Sequence, residues 1–271
     1  MRQRRDRAAG RYADFDFLIR EMVDRLVERL GDVRRSFETT LVLGCHTGQV
    51  AEKLPKSQVG DVIQTDLSPT MVEQVKAPRL AADEEALPFG FDRFDLVIAT
   101  GNLHLVNDLP GALIQIRYAL KPDGLFLAAM PGGRTLHELR MCFAEVEPTS
   151  PGRVAPFIDV PDAGALLQRT GYALPVVDID TVTVSYADPM RLLHDLRGMA
   201  ESNALVDRAP IRRSTLLETC RLYQKNYADE RGRIPATFQL LMLAAWSPGP
   251  NQQQPLKRGS GKVSLAETLG E

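Results

Sequence analysis

Two glycines and one aspartate have the spacing in this sequence that most clearly points to chemistry. Gly44 and Gly48 follow a short apolar run and precede an amphipathic stretch, which predicts a strand-to-helix turn. Glycine lets the backbone approach a ligand closely, and the following helix offers unpaired N–H groups. Asp66 lies 22 residues after Gly44, at the end of the second apolar run, where a carboxylate can accept hydrogen bonds from ribose hydroxyls. The spacing therefore predicts a nucleoside site.

The same residues have ordinary structural interpretations. A two-glycine turn can join a strand to a helix without any ligand. Either Asp66 or Ser68 could cap the helix that is predicted to begin near Pro69. Both interpretations stay open at this point.

Three further side chains are candidates for catalysis. His104 follows an apolar run, so it is expected at the carboxyl edge of the sheet, and histidine can act as an acid or a base near neutral pH. Glu201 ends an inserted helical stretch, and Glu138 lies in another predicted helix where a solvated or structural role is also possible. Glu201, Asp207 and Glu138 are carboxylates, so each is a candidate partner of a cationic group on a substrate.

The pattern around these residues is typical of a parallel sheet covered by helices. From residue 37 onwards, short apolar runs alternate with amphipathic stretches. The predicted strands are residues 40–43, 62–65, 94–99, 125–130, 180–186 and 236–246. The predicted helices are residues 49–54, 69–75, 109–120, 136–145 and 162–170, and the sequence KPDG at 121–124 predicts a turn before the next strand.

These elements predict one α/β domain with additions. The domain covers residues 37–247, a helical segment precedes it at residues 1–36, and a polar tail follows at residues 248–271. A mostly helical insertion at about residues 188–234 separates the last two strands and is expected to cap the sheet. The arginine-rich start is interpreted as a solvated helix start, with contact to a partner or an anionic surface as the alternative.

Composition excludes several classes of protein. The formal net charge of −2 argues against general nucleic-acid or membrane binding, and no apolar run is long enough to span a membrane. The three cysteines lack the spacing of a redox or zinc site, which favours a reducing compartment. No residue pattern carries the two-histidine, one-carboxylate iron site of many oxygenases, so no metal is expected.

Five segments in order resemble class I S-adenosylmethionine-dependent methyltransferases: LGCHTG at 43–48, DLSPTM at 66–71, ADEEALPF at 82–89, FDLV at 94–97 and LKPDG at 120–124. The resemblance implies a Rossmann-like, seven-stranded sheet in a three-layer sandwich, with Asp66 on the ribose and Asp83 on the adenine. It further implies that the segment from Thr100 to His104 lines the methionine end. The cofactor-binding residues implied in this way are Gly44, Cys45, His46, Gly48, Asp66, Leu67, Asp83, Glu84, Thr100 and Asn102.

A narrower resemblance covers nearly the whole chain. RDRAA at 5–9, LVNDLP at 105–110, GGRTLHELR at 132–140, DLRGMAESN at 195–203, PATFQ at 235–239 and RGSGKVS at 258–264 are similar to the complex I assembly factor 5 family and its bacterial relatives. The resemblance implies an arginine hydroxylase that acts on a subunit of respiratory complex I. It also implies a cytoplasmic location, or the mitochondrial matrix in a eukaryote, with possible peripheral association with a membrane.

Two residues depart from the methyltransferase pattern. Val42 stands where the superfamily has an acidic residue, and His46 stands where it has a glycine. His46 could turn to solvent beside an intact site, mark an altered or lost cofactor site, or take part in chemistry. The alternatives to arginine hydroxylation are therefore methyl transfer to a small or carrier-bound carboxylate, as in the malonyl-carrier methyltransferases, and an assembly chaperone without catalysis.

Overall fold

The protein is described by a computed structural model that covers residues 1–149, 152–205, 210–250 and 252. Its helices are α1 (Arg2–Ala8), α2 (Phe17–Gly31), α3 (Gln49–Lys53), α4 (Pro69–Val72), α5 (Leu109–Ala119), α6 (His137–Val146), α7 (Val160–Arg169), α8 (Pro189–Gly198) and α9 (Arg213–Tyr227). Its strands are β1 (Phe37–Leu43), β2 (Val59–Asp66), β3 (Arg79–Ala81), β4 (Phe94–Thr100), β5 (Leu120–Pro131), β6 (Ala173–Tyr186) and β7 (Ile234–Trp246). Short 3-10 helices lie at Ala9–Asp14 and Leu103–Leu105.

The strands form one seven-stranded sheet in the order β3-β2-β1-β4-β5-β7-β6. The first five strands are parallel, whereas β7 runs antiparallel to both β5 and β6. The order reverses beside β1, so the ends of β1, β2 and β4 meet at the point where open α/β sheets bind ligands. The predicted fold is confirmed.

Both faces of the central strands are covered by helices, which makes three layers. Val42 of β1 packs into one apolar cluster with helices α2, α8 and α9. Its neighbours Leu41 and Leu43 point the other way, into a second cluster with α5 and α7. Successive side chains of a strand alternate between faces, so a continuous apolar run such as residues 41–43 indicates a strand covered on both sides.

The helical insertion lies before the last strand, as expected. Helices α8 and α9 lie between β6 and β7, and α8 begins at Pro189 because the Asp188 carboxylate accepts a hydrogen bond from the Arg191 N–H. Leu192 and Leu196 of α8 are buried, whereas Met190 is half exposed.

Four details of the predicted elements were wrong. One is the start of β6, which begins at Ala173 and not at residue 180. Strand β3 was missed because its three residues are all exposed and give no apolar run. The predicted turn at residues 121–124 lies within β5, as an irregularity in its pairing with β4 where Asp123 adopts a φ of 61°. Helix α4 ends at Val72, three residues earlier than predicted. Across the described ranges, none of the helices has the length and apolar character that crossing a bilayer requires.

Candidate functional site

The turn between β1 and α3 is tightly packed. Gly44 has a φ of 69°, and a side chain there would bring its Cβ to 2.7 Å from the Thr100 carbonyl oxygen. Only glycine therefore fits between the ends of β1 and β4. The Cys45 N–H donates to the Thr65 carbonyl at 2.8 Å, which fixes the turn to β2, and Gly48 has a φ of 107°.

Asp66 ends β2 and is fully buried beside this turn. Its Oδ1 accepts from the Ser68 N–H at 2.9 Å, and its Oδ2 accepts from the His46 N–H at 3.2 Å. The same Oδ2 accepts from the Arg5 guanidinium at 2.8 Å. Burial alone would raise the pKa of Asp66, but the charge of Arg5 together with the hydrogen bonds holds that pKa below its usual value.

Arg5 comes from α1 and is the functional-site residue that sequence reasoning missed. It is only 3% exposed, and it also donates to the Gly101 carbonyl at 3.0 Å. Burial opposes its charge, but Asp66 and Glu84 nearby raise its pKa above the ordinary value. The interpretation of this segment as a solvated helix start was wrong for Arg5. Its partner Asp66 lies 61 residues away, and no local pattern indicates such a pairing.

His46 is buried rather than turned to solvent, so that interpretation was wrong. Its Nε2 lies 2.9 Å from the Thr100 carbonyl oxygen, which can only accept, so Nε2 carries the proton. Its Nδ1 then accepts from the Tyr12 hydroxyl at 3.1 Å, and the two rings stack with centroids 5.3 Å apart. Burial, reinforced by the charge of Arg5, lowers the pKa of His46 to about 4, so the ring is neutral at physiological pH.

The other predicted cofactor residues differ in how deeply they are buried. Glu84 is buried, and its Oε1 accepts from the Asn102 amide at 2.9 Å. Burial raises the pKa of Glu84. Asp83 is exposed, and its carboxylate accepts from the Glu85 N–H at 2.9 Å. Leu67 is half buried between Asp66 and Ser68.

Two polar atoms near the end of β4 have no hydrogen-bond partner among the described residues. The Thr100 Oγ1 and the Asn102 Oδ1 are buried, and neither makes a hydrogen bond within the described part of the chain. An unpaired buried polar atom costs about 1–3 kcal/mol, so both atoms are suited to a polar ligand.

We call the turn from Gly44 to Gly48, together with Asp66, Glu84, Thr100 and Asn102, the cofactor cradle. A large cavity lies next to it, beneath the cap. It has a volume of about 790 Å³, and its lining includes His104 and Glu201. The Nε2 of His104 lies 3.0 Å from the Glu201 Oε2, and because a carboxylate accepts, Nε2 carries the proton. The His104 Nδ1 is buried without a partner within the described ranges. Burial alone would raise the pKa of Glu201, but His104 beside it holds that pKa below its ordinary value.

The remaining candidates lie elsewhere. Glu138 is buried, but its carboxylate accepts from the N–H and the hydroxyl of Thr237, so it joins α6 to the start of β7 and does not line the cavity. Asp207 and residues 258–264 lie outside the described residues. Within the residues described, no three histidine, cysteine, aspartate or glutamate side chains are grouped so as to hold a metal ion.

Comparisons with known proteins define the class first. Residues 41–128 match the methyltransferase domain family. A methyltransferase-like protein of Bacillus halodurans has a similar solved structure, with a TM-score of 0.59 at 14% identity over 83% of this chain and 98% of that one. The YcgJ protein of a Bacillus species superimposes equally well, at 16% identity and the same coverage. At these identities the structures show a shared methyltransferase fold.

Curated relatives then define the family. The mitochondrial arginine-hydroxylase NDUFAF5 of Danio rerio is 41% identical over 93% of this chain and 82% of its own length. The human protein of the same name is 40% identical over 93% of this chain and 76% of its own length. A malonyl-[acyl-carrier protein] O-methyltransferase of Halorhodospira halophila is 35% identical over 96% and 91%. The chain belongs to the family of methyltransferase-superfamily enzymes that includes the NDUFAF5 arginine-hydroxylases, to which the malonyl-carrier methyltransferases are also related.

The residues present fit an S-adenosylmethionine-like ligand in their chemistry. Asp66 and Glu84 offer carboxylates, and the unpaired atoms of Thr100 and Asn102 lie between the ends of the strands. In this conformation, however, the carboxylate of Asp66 is already engaged by Arg5. A ligand that hydrogen-bonds to Asp66 through two hydroxyls must therefore displace the Arg5 guanidinium.

Proposed function

We propose that this chain is an enzyme that hydroxylates an arginine side chain of a partner protein. The observation that carries the proposal is the pairing of His104 with Glu201 in the wall of a cavity of about 790 Å³. The relatives named arginine-hydroxylases, at 40–41% identity, support arginine as the modified residue and hydroxylation as the reaction.

Glu201 provides what a guanidinium requires. Its side chain is 23% exposed, while that of His104 is 4% exposed, so the carboxylate is the more accessible member of the pair. Its Oε2 is used by His104, and its Oε1 makes no hydrogen bond within the described ranges. An ionised carboxylate has about four acceptor positions, so Glu201 can bind an arginine and still orient His104.

His104 is the proposed proton acceptor. Since Nε2 donates to Glu201, the neutral ring keeps a lone pair on Nδ1, and that atom has no partner among the described residues. A carboxylate that holds an imidazole in one tautomer also stabilises the protonated ring. The pair can therefore take up a proton from a substrate nitrogen. Hydroxylation is a two-electron oxidation, so the inserted oxygen atom must come from an external oxidant of the dioxygen class together with an electron donor, while His104 and Glu201 hold the substrate and accept its proton.

The cavity favours a peptide over a free amino acid. Its volume is in the range that holds a drug-sized ligand, which exceeds one arginine side chain. Leu139, Phe143 and Leu196 contribute apolar walls that would contact residues flanking the arginine. The proposed partner is a subunit of respiratory complex I, met in the cytoplasm at the membrane surface, or in the matrix for a mitochondrial protein.

S-adenosylmethionine is the proposed cofactor of the neighbouring cradle. Asp66 would hold its ribose, Asp83 or Glu84 its adenine, and Thr100 with Asn102 the methionine end, over the turn from Gly44 to Gly48. When bound, this cofactor supplies an electrophilic methyl group on a sulfonium. The chain's residues bind and orient it.

The test combines gene deletion with mass spectrometry of complex I subunits. A peptide that gains one oxygen in the wild type and loses it in the deletion strain supports the proposal. Complementation with Glu201→Gln or His104→Gln should fail to restore the oxygen, because the first removes the charge and the second keeps the donor to Glu201 but removes the base. Glu218→Gln, on the exposed face of α9, is the matched control and should restore it.

Other results would contradict hydroxylation. A gain of one methylene would identify a protein methyltransferase. No mass change, with complex I assembly restored equally by Glu201→Gln and His104→Gln, would identify a chaperone without catalysis.

A second candidate is methyl transfer to a carboxylate on a carrier protein. The relative in Halorhodospira halophila and the presence of Arg197 in the cavity lining favour it, since a guanidinium suits a carboxylate ligand. Purified protein incubated with malonyl carrier and S-adenosylmethionine would then yield a methyl ester. Unmodified carrier would exclude this candidate.

A further inference from the structure

Helix α1 touches both halves of the site. Arg5 binds Asp66 and the Gly101 carbonyl in the cradle, and the Ser68 hydroxyl donates to the carboxylate of Asp6. On its other side, Arg4 donates to the carbonyls of residues 202 and 203, which line the cavity next to Glu201. One short helix therefore joins the cofactor cradle to the cap segment that borders the substrate cavity.

Arg5 uses the acceptors that a ribose would need. The Asp66 carboxylate already accepts from the Ser68 and His46 N–H groups, and the guanidinium takes a third position at 2.8 Å. A carboxylate has about four acceptor positions, so one remains, whereas a ribose that donates two hydroxyls needs two. Both partners are almost completely buried, so no solvent path leads to this carboxylate while Arg5 is in place. A ligand and Arg5 cannot hold Asp66 together.

The charges around Arg5 explain why these carboxylates need another partner when Arg5 leaves. Arg5 lies close to the carboxylates of Asp66, Glu84 and Glu201, and its positive charge offsets theirs. Removing the partner of a buried ion is strongly unfavourable. S-adenosylmethionine can replace both roles of Arg5, because its ribose hydroxyls can donate to the Asp66 carboxylate and its sulfonium and ammonium groups carry positive charge.

We propose that Arg5 is an internal competitor for the cofactor's place on Asp66, and that α1 is a strap which the cofactor displaces. Displacement pulls Arg4 away from the carbonyls of residues 202 and 203, and this removes two of the hydrogen bonds that hold the cap segment beside Glu201. Cofactor binding thereby opens the substrate cavity, so the two sites are coupled. The inference rests on the proposed S-adenosylmethionine site.

Calorimetric titration with S-adenosylmethionine tests the competition. The apparent affinity of a site is reduced by the fraction of molecules in the competent state, so removing the competitor raises that affinity. Arg5→Gln should bind S-adenosylmethionine at least about tenfold more tightly than the wild type. Arg7→Gln changes an exposed arginine of the same helix and should bind like the wild type.

Hydrogen exchange of the wild-type protein tests the strap without any mutation. Saturating S-adenosylmethionine should speed amide exchange in residues 2–8 and 202–203, because the helix leaves the cradle and the cap segment loses Arg4. Slower exchange in residues 2–8 would mean that α1 closes over the cofactor, and the proposal would be overturned.

The outcomes separate the two proposals. Equal or weaker binding by Arg5→Gln, with clear binding by the wild type, overturns the competition and leaves the cofactor site standing. Binding by neither protein overturns the cofactor site and the competition together. Binding by Arg5→Gln alone supports both.

Discussion

Lowering the pH should destabilise this protein through His46. The ring is buried and neutral, and its pKa is lowered from about 6.5 to about 4 by burial and by Arg5. In the unfolded chain the ring takes up a proton below pH 6.5, whereas in the folded protein it does so only near pH 4. The unfolded state therefore binds more protons in this window, and folding stability falls as the pH falls through it.

The size of the effect follows from the two pKa values. A difference of about 2.5 units corresponds to about 3 kcal/mol over the whole window, of which about 2 kcal/mol is lost between pH 7 and pH 5. Protonation would also reverse the hydrogen bond with the Tyr12 hydroxyl, since Nδ1 could then only donate. Asp66, with its lowered pKa, loses its stabilising effect only at lower pH. Burial raises the pKa of Glu84, so its effect on stability has the opposite sign, and comparison with a variant that keeps Glu84 cancels it.

Urea denaturation of the wild type and His46→Asn at pH 7 and pH 5 measures the effect. Asparagine tolerates the positive φ of 48° at this position but does not titrate. The wild type should lose about 2 kcal/mol more than the variant between the two pH values, and the other three histidines cancel in the comparison. Equal losses in the two proteins would refute a buried, neutral His46.

Three further substitutions test the packing around the site by thermal unfolding. Gly44→Ala should cost about 2–4 kcal/mol, because it combines a positive φ with a contact of 2.7 Å to backbone, whereas Gly10→Ala, with open space around it, should be nearly neutral. Asp66→Asn should cost about 3–5 kcal/mol by leaving the Arg5 guanidinium buried beside a neutral partner, and a much smaller loss would mean that Arg5 leaves the site freely. Glu138→Gln should lower the free energy of unfolding by about 1–3 kcal/mol, because it weakens the hydrogen bonds to Thr237. Activity per folded molecule should not change, and a loss of activity without a loss of stability would make Glu138 a catalytic candidate again.

The sheet was predictable because each strand carries a local signal. The core strands β1, β4 and β5 are buried on both faces, so each appears as a short apolar run. Where burial is absent the signal fails, as in β3, whose residues are all exposed. The long β6 was only half predicted, since the regular alternation begins near Asp180 and its first seven residues, which include Pro175, have no such pattern.

The site was predictable in part. Spacing and resemblance selected Asp66, His104 and Glu201, and the structure brings His104 and Glu201 to 3.0 Å from each other across 97 residues of sequence. Resemblance also selected Asp83 for the adenine, yet Asp83 is exposed and its neighbour Glu84 is buried, a distinction that depends on the turn at residues 83–86. Arg5 was missed because a buried ion pair between distant segments leaves no periodic pattern.

Two unusual features of this sequence, the histidine in the glycine turn and the arginine-rich start, contact each other in the structure. The His46 backbone N–H and the Arg5 guanidinium bind the same Asp66 oxygen, and the His46 ring binds Tyr12 in the 3-10 helix that follows α1. A glycine at position 46 would leave the Tyr12 hydroxyl and the Thr100 carbonyl without these partners. The histidine thus fastens the N-terminal segment onto the cradle. It follows that variants of His46 and Arg5 should loosen the same strap, and that restoring glycine at position 46 should raise cofactor affinity in the same direction as Arg5→Gln.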